Sequence, residues 1–452
     1  MRTCNSQPYT NLQSEPDKSI CGKILFMKFN SLRLWKIVVG RWLAVGLGCV
    51  VTGSSAFASD IIFPGIQAKA SAGAGQTVSR GATALFFNPA NLLLSERIQP
   101  EADLSVANVT YAYQNSDTET FESAVLNIKT PMASAGIAWR PRPDLAFGIA
   151  AVPYGTGSAQ IDYGVPIELT PGIFQALDVA KKQVLGRLAT GVAWQLLDNV
   201  EAGAGIIYSS ERTSISTKNA GTDRTIIEAS YAGKSAQLNI GLRGNIGAAT
   251  NIAASYKTAA KRTYAGTLAV NVAPRNSPDS LELQPFEGRG YDPATLGLGF
   301  ETRFGPVGLF LDYVREMWAA GRGVLKHGLG TDAPTIDLES TNNIAMGIKY
   351  WMRRSHMLQI SVAKNDGNMG NGDAVPADQA PRQVGGVQFG QLEAIPRMIF
   401  AAGYSYQLGS GRQLQVAAMS LNGTKEIPSG YAQSGTFQLS MTSLTVGANF
   451  AL

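Results

Sequence analysis

The sequence has little of what enzymes and disulfide-bonded exported proteins depend on. Among its 452 residues are three cysteines, Cys4, Cys21 and Cys49, and two histidines, His327 and His356. The cysteines all precede residue 50, so the remaining chain has no disulfide framework and no thiolate metal site. The histidines are far apart and neither lies in a nucleophile motif, which argues against a catalytic triad and a metal centre. We therefore predict a protein without catalytic residues, metal ligands or a cofactor.

An excess of either charge is also missing once the first 58 residues are set aside. Those residues hold seven of the 38 basic and two of the 33 acidic side chains, so residues 59–452 balance at 31 of each. An even balance argues against a nucleic-acid partner. No apolar run after residue 60 reaches the ~20 residues that a membrane-spanning helix needs. If this chain crosses a membrane, it must do so with strands.

Residues 1–58 have the pattern of a secretory signal peptide. Basic residues and no acidic ones lie between Met27 and Arg41, an apolar core follows, and Ala56-Phe57-Ala58 offers a small-x-small cleavage site. The alternative, an uncleaved membrane anchor, would need a longer apolar core. Met27 is a candidate for the true start, because residues 1–26 are unusual for a signal peptide.

Fourteen segments of alternating hydrophobicity follow, separated by turn residues. In the clearest hairpin, Leu309 and Leu311 share one face, and Leu298 and Phe300 share the corresponding face of the preceding strand. The predicted strands are 101–113, 132–140, 145–153, 183–197, 200–215, 230–244, 251–270, 291–304, 307–320, 342–351, 357–365, 396–408, 412–422 and 436–452. An even count predicts a closed barrel with both chain ends on one side.

The connections alternate in length, as in outer-membrane barrels. Short turns are predicted at 141–144, 197–199, 305–306 and 409–411, and long loops at 154–182, 271–290, 321–341 and 366–395. A soluble stack of sheets would alternate too. Three features favour the barrel: uncharged strand faces, an alternating strand that runs to Leu452, and aromatic residues at strand ends. Those aromatic residues are Trp139, Trp194, Tyr208, Trp318, Tyr350 and Trp351.

The stretch from Ala70 to Leu94 is unlike the rest of the chain. It is rich in small and apolar residues, its one ionisable side chain is Arg80, and it contains two aromatics followed by Asn88-Pro89-Ala90. A compact segment without strand character, placed before a long run of amphipathic strands, predicts a closed barrel that holds a plug. We assign residues 59–99 to this N-terminal hatch and residues 100–452 to the transmembrane β-barrel.

Several short motifs of the exported part occur in an order that matches a known family. They are Ser71-Ala72-Gly73-Ala74-Gly75, Gly81-Ala82, Phe87-Asn88-Pro89-Ala90-Asn91-Leu92, Val152-Pro153-Tyr154-Gly155, Tyr256-Lys257-Thr258 with Lys261 and Gly266, Tyr313-Val314-Arg315-Glu316-Met317-Trp318, and Ile395-Pro396-Arg397. Together they resemble the FadL/TodX/OmpP1 family of outer-membrane transporters for hydrophobic compounds. The resemblance spans essentially the whole chain after the leader.

This resemblance implies a fourteen-stranded barrel closed by an N-terminal hatch, with ligand released by hatch movement or through a kink in the third strand. The hatch residues would be Phe86, Phe87, Asn88, Pro89 and Ala90. The residues of the kink would be Gly148, Val152, Pro153, Tyr154 and Gly155. Independently of the resemblance, a proline cannot donate a ladder hydrogen bond and glycines weaken pairing, so the sheet should be distorted here. The alternative is that Pro153 only ends the strand.

The loop predicted at 154–182 is shorter than in that family, yet it contains an apolar stretch. We expect residues 166–177 to form a short amphipathic helix over the barrel mouth and to bury part of an apolar ligand. The candidate capture residues are Ile167, Leu169, Ile173, Phe174 and Leu177. Packing against neighbouring loops is the other use of such a stretch.

The predicted function is passive uptake of hydrophobic small molecules, such as long-chain fatty acids or aromatic hydrocarbons, across a Gram-negative outer membrane. The expected partners are the hydrophobic ligand, outer-membrane lipid or lipopolysaccharide, and the barrel-assembly machinery through the C-terminal strand, and we expect a monomer. Two alternatives stay open: a general hydrophilic porin, and a barrel that serves as an adhesin or structural protein without transport.

Overall fold

The computed structural model describes residues 63–114, 124–170, 173–219, 225–271, 281–321, 339–353, 355–367, 395–409, 412–428 and 435–450. The predicted signal peptide, His327 and Leu452 lie outside these ranges. No helix among the described residues is long and apolar enough to cross a membrane.

Sixteen strand segments form a single antiparallel sheet. They are β1 (Ile98–Gln114), β2 (Ala124–Arg142), β3 (Leu145–Thr170), β4 (Ile173–Leu197), β5 (Val200–Asn219), β6 (Thr225–Ile246), β7 (Thr250–Lys257), β8 (Ala260–Asn271), β9 (Leu281–Asp292), β10 (Thr295–Phe304), β11 (Val307–Glu316), β12 (Thr341–Arg353), β13 (His356–Asn365), β14 (Arg397–Gln407), β15 (Arg412–Ile427) and β16 (Gly435–Phe450). Each strand pairs with its neighbour around the sheet, β16 pairs with β1, and β5 pairs with β6. The sheet is therefore a closed barrel.

Two barrel strands are each interrupted once, which reconciles sixteen segments with a 14-strand barrel. β7 and β8 both pair with β6 and are separated at Thr258, while β9 and β10 are separated at Pro293, which has no N–H to donate. The side-chain amide of Gln237 donates to the carbonyl oxygens of Thr258 and Pro293, at 2.8 and 3.1 Å. One buried side chain thus compensates the backbone at both interruptions. The predicted strand count is confirmed.

The chain enters and leaves the barrel at the same end, as predicted. Ile98 at the start of β1 pairs with Trp139 near the short β2–β3 turn, and Phe450 at the end of β16 pairs with Arg412 near the short β14–β15 turn. We call this the short-turn end and the opposite one the long-loop end. Alternate residues along the strands expose apolar side chains outward, as Leu444 and Val446 do on β16.

The predicted loop at 154–182 is wrong. β3 continues to Thr170 and β4 begins at Ile173, with lengths of 26 and 25 residues. The backbone groups of this stretch are satisfied by the β3–β4 ladder, so the amphipathic helix predicted at 166–177 does not form. Pro166 lies at a register shift, which follows Tyr163. The loop predicted at 271–290 is also too long, because β9 begins at Leu281.

Four of the six aromatic residues noted at strand ends face outward, and two do not. Trp139, Trp194, Tyr208 and Tyr350 are exposed on the outer surface. Adjacent residues of a strand point to opposite faces, so Tyr350 and Trp351 cannot both face outward, and Trp351 packs beside Gly308 and Arg303 instead. Trp318 is buried in a short 3₁₀ helix (Trp318–Gly321), and its indole N–H donates to Glu316 at 2.8 Å.

The segment that precedes β1, residues 63–97, lies inside the closed sheet. It contains a short helix α1 (Ile66–Ala70) and two 3₁₀ helices (Ala82–Phe86 and Pro89–Leu94). Its side chains contact inward-facing residues all around the wall, from Asp103 on β1 to Ser255 on β7 and Gln359 on β13. We refer to residues 63–97 as the N-terminal segment.

Candidate functional site

The Asn88-Pro89-Ala90 turn joins the N-terminal segment to the wall at β6. Asn88 is fully buried, and its side-chain oxygen accepts from the N–H of Ala90 at 3.1 Å, which caps the second 3₁₀ helix. Its amide nitrogen donates to the carbonyl oxygen of Leu242 on β6 at 2.9 Å. Pro89 holds the residue before it in an extended conformation, so both ends of the amide meet a backbone partner.

A pair of wall glycines makes room for this turn. Gly203 on β5 and Gly241 on β6 are cross-strand partners. A Cβ at Gly241 would overlap the side-chain oxygen of Asn88, and a Cβ at Gly203 would overlap the backbone of Pro89 and Ala90. The turn therefore packs directly against the backbone of the barrel.

A second row of glycines accepts the apolar side of the N-terminal segment. Gly148, Gly191 and Gly205 face one another across β3, β4 and β5. A Cβ at Gly148 would lie 2.6 Å from Leu92, and a Cβ at Gly191 would lie 2.6 Å from Leu85. Gly148 was expected to weaken strand pairing near the kink. It is instead paired on both sides and serves as a packing site.

The two predicted hatch aromatics differ in burial. Phe86 is buried in the main hydrophobic cluster of the interior, whereas Phe87 is partly buried and packs against that cluster. The ring of Phe87 covers Gly75, where a Cβ would overlap it. Phe86 thus packs in the interior cluster, and Phe87 packs within the N-terminal segment.

Two buried carboxylates, which sequence analysis missed, anchor the N-terminal segment. Asp103 on β1 forms an ion pair with Lys69 and accepts from the hydroxyl of Ser134, and all three side chains are buried. Asp312 on β11 accepts from the N–H groups of Gly75 and Gln76 at 2.7 and 2.6 Å. Both lie in the inward-facing register of their strands.

The hydrogen-bonded ladder of the wall is interrupted between β2 and β3, although the two strands stay side by side. Their ladder ends at the pair Ala135 and Ala151, immediately before Val152 and Pro153, and the structure gives β2 residues 124–134 no partner on β3. β3 itself continues along β4, with a register shift between Gly155 and Ser158. β3 does not end at Pro153, so the alternative that this proline only ends the strand is wrong. The lateral opening expected at the kink stays a prediction. Tyr154 and Gly155 lie in the part of β3 that pairs only with β4.

Apolar side chains line the interior next to this interruption. Met132 on β2 and Val152 on β3 are buried on either side of it. Val109 on β1 and Leu185 on β4 belong to the same hydrophobic cluster. The interrupted part of the wall therefore adjoins an apolar interior.

The candidate capture residues lie on two paired strands, and no contact between their side chains is described. Ile167 and Leu169 are on β3, and Ile173, Phe174 and Leu177 are on β4. Ile167 pairs with Gln175, and Glu168 pairs with Phe174. Their side chains lie outside the described part of the structure.

A polar cavity of about 280 Å³ lies at the short-turn end, between the N-terminal segment and the wall. Its lining includes Arg80, Arg303 and Lys349 together with several glutamine side chains. Lys349 is paired with Glu301 at 2.6 Å, and the guanidinium of Arg303 lies 4.1 Å from the ring centroid of Trp351. The polar lining on this side of the N-terminal segment favours water or a charged group, whereas the interior on the other side is apolar.

One of the two histidines, His356, lies within the described residues. His356 is at a short turn, where its Nδ1 lies 2.7 Å from the hydroxyl of Tyr404. Within the described ranges, no group of three His, Cys, Asp or Glu side chains converges on a possible metal position.

The barrel is similar to solved channel structures over almost its whole length. A FadL homologue from Pseudomonas aeruginosa is 12% identical, has a TM-score of 0.64, and is matched over 88% of this chain and 99% of its own. The fold is that of FadL. The toluene transporter TodX of P. putida is 14% identical with a TM-score of 0.58, matched over 87% of this chain and 99% of its own. The toluene transporter TbuX of Ralstonia pickettii is 13% identical with a TM-score of 0.59, over 87% and 99%.

The likeness to these FadL-type structures is one of fold, and the fold predicted from the sequence is confirmed. No protein-family model and no curated protein matches the sequence. The structural neighbours named here are transport proteins and not enzymes.

Proposed function

We propose that the protein is a passive outer-membrane channel for hydrophobic small molecules. The observation that carries this proposal is the end of the β2–β3 ladder at Ala135 and Ala151, beside the buried apolar residues Met132 and Val152. An apolar interior next to two strands that are not held together by a ladder offers a path along which an apolar ligand stays out of water. The ligand moves from the interior through this seam into the bilayer.

The N-terminal segment acts as a hatch in this proposal. It fills the barrel at the short-turn end and is anchored by Asn88, Lys69 and Gly75 to three separate strands. The cavity on its far side is lined by charged and amide groups, which favour water over hydrocarbon. Exit through the seam is thus favoured over exit beneath the N-terminal segment.

The outward-facing apolar residues support placement in a membrane. Leu104, Val106, Ile206, Leu242 and Ile360 are among the many large apolar side chains that are more than half exposed. So much exposed apolar surface is stable when it contacts lipid, and a closed sheet leaves no unpaired backbone in hydrocarbon where its ladder is complete. Since barrels of this kind occupy the outer membrane, we place the protein there, with the short-turn end facing the periplasm.

The structural neighbours support a choice of ligands to test first. TodX and TbuX are toluene transporters, CymD is a monoaromatic hydrocarbon channel, and all three share this fold. We propose apolar solutes of the monoaromatic or long-chain fatty acid class as the first to test. Transport requires no energy source, provided that movement of the seam or the N-terminal segment lowers the affinity for the ligand.

Uptake into cells that lack their own hydrophobic channels tests the proposal. Cells that produce this protein should accumulate labelled toluene or oleate faster than cells with an empty vector, while the uptake of a labelled sugar stays unchanged. Mass spectrometry of ligand that co-purifies with the barrel would identify the class. A large, steady conductance and faster sugar uptake would instead indicate a hydrophilic porin. Altered surface adhesion with no change in uptake would indicate an adhesin.

A further inference from the structure

Three basic side chains on the outer face of adjacent strands have no role in the proposed path. Arg212 is on β5, Lys234 on β6 and Lys261 on β8, and all three are exposed. Inward-facing neighbours on the same strands, such as Glu211 and Arg262, are buried and paired with each other. The three outward-facing cations are therefore available to a partner outside the barrel.

The strand register places these three residues in one diagonal line. Arg212 is the cross-strand partner of Ala232, two residues from Lys234, and Lys234 is the partner of Thr263, two residues from Lys261. Diagonal neighbours of this kind lie roughly 7–8 Å apart on one face of a sheet. Because barrel strands are tilted, such a diagonal runs around the barrel more than along it. The three residues form a compact basic patch.

The outward-facing apolar residues form a band around the barrel, which we call the apolar belt. The patch directly borders this belt on the side of the long-loop end. Three outward-facing residues lie on the short-turn side of the patch. They are Tyr208 on β5, Leu238 on β6 and Tyr256 on β7, which are 38%, 46% and 40% exposed. Tyrosine is enriched where hydrocarbon meets headgroups, so these residues indicate the edge of the bilayer. The basic patch thus lies at the level of the lipid headgroups.

Acidic side chains do not neutralise the patch on these strands. The described outward-facing residues of β5, β6 and β8 include one acidic residue, Glu228. It lies on β6 four residues from Ala232, on the side away from the belt. Elsewhere at the same end, Lys364 is paired with Asp366 at 3.3 Å. The patch on β5, β6 and β8 therefore keeps a local charge of one sign.

We propose that this patch, Arg212, Lys234 and Lys261, binds the phosphate groups of the phosphorylated glycolipid that forms the outer leaflet of the outer membrane. The inference rests on the orientation and membrane placement given above. Guanidinium and ammonium groups bind phosphate oxygens with charge-assisted hydrogen bonds, while Tyr208 and Leu238 contact the acyl chains beneath. A glycolipid that carries both features fits the patch and the belt together.

Binding of lipid A to the purified barrel in detergent tests this proposal. The test variant is Arg212→Gln/Lys234→Gln/Lys261→Gln, and the matched control is Arg97→Gln/Arg142→Gln/Arg353→Gln, which removes three exposed cations from the short-turn end. We expect bisphosphorylated lipid A to bind the test variant at least about tenfold more weakly than the unmodified protein, since each cation near an anionic surface adds affinity. The control should bind normally, and dephosphorylated lipid A should bind all three proteins equally weakly.

Three outcomes would overturn the assignment. The test variant would bind bisphosphorylated lipid A as well as the unmodified protein, or phosphatidylglycerol would replace lipid A at equal concentration, or inorganic phosphate would displace it at millimolar concentration. Heat-dependent migration on a gel verifies that each barrel is folded, and Lys234→Glu alone provides a second variant. Toluene or oleate uptake by the test variant should stay normal, so a failure here is distinct from a failure of the proposed channel.

Discussion

The side-chain amide of Asn88 occupies the space that Gly241 leaves on the inner face of β6. Gly203, the cross-strand partner of Gly241, makes the same room for the backbone of Pro89 and Ala90. The N-terminal segment therefore fits against the wall because these two positions have no side chain, as well as through its hydrogen bonds. A methyl group at Gly241 would have to displace either the turn or the strand.

Gly241→Ala should loosen the N-terminal segment while the barrel stays folded. Over-packing of this kind costs about 1–3 kcal/mol, and the 3₁₀ turn has fewer backbone partners to lose than the strand. Hydrogen exchange at residues 88–93 should become faster. Gly244→Ala is the control on the same strand, because the nearest atom to a Cβ there is at 3.4 Å. Equal exchange in the two variants would contradict this account of the glycine pair.

The buried ion pair of Lys69 and Asp103 predicts strong non-additivity. Asp103→Ala leaves the ammonium of Lys69 buried without its counter-charge, which should lower the free energy of unfolding by about 3–5 kcal/mol. Lys69→Met/Asp103→Leu removes both charges and should cost clearly less than Asp103→Ala alone. Urea unfolding of the three proteins in detergent measures the difference. If the double variant is the least stable, the ion pair is not the anchor we describe.

Alternation of hydrophobicity was enough to predict the closed barrel, its fourteen strands and its two ends on one side, because lipid on the outside and packing on the inside impose period two on every strand. It did not predict that β3 and β4 continue beyond Pro153 as paired strands. Glycines and prolines there favour turns locally, and only pairing between the two strands makes the extended backbone stable.

The contacts that anchor the N-terminal segment could not be predicted from the sequence, for a different reason. Asn88 was singled out by its motif, but its partner Leu242 is 154 residues away. Asp312 and Gly75 are separated by 237 residues. Such contacts depend on closure of the barrel, which brings distant strands around one short segment, and a local pattern does not encode them.

Deletion of residues 63–97 should convert the barrel into an open pore. A fourteen-stranded cylinder emptied of this segment would hold a continuous water path, since its inner wall carries Asp312, Lys349 and many other polar residues. In planar bilayers we expect steady ion currents from the deleted form and only rare openings from the intact protein. Heat-dependent gel migration checks that the deleted barrel is folded. Large steady currents from the intact protein would favour the hydrophilic porin.

Stapling the seam between β2 and β3 should stop hydrophobic uptake. If the register continued beyond Ala135 and Ala151, Ala133 would face Pro153, so Ala133→Cys/Pro153→Cys places one cysteine on each side of the gap. Residues 59–452 contain no other cysteine, so within this part of the chain an oxidised product carries this one disulfide. The control, Ala135→Cys/Ala151→Cys, bridges strands that are already paired. Oxidation should abolish toluene or oleate uptake in the first variant, reductant should restore it, and the control should be unaffected. Normal uptake through a fully cross-linked seam would show that the ligand leaves the barrel elsewhere.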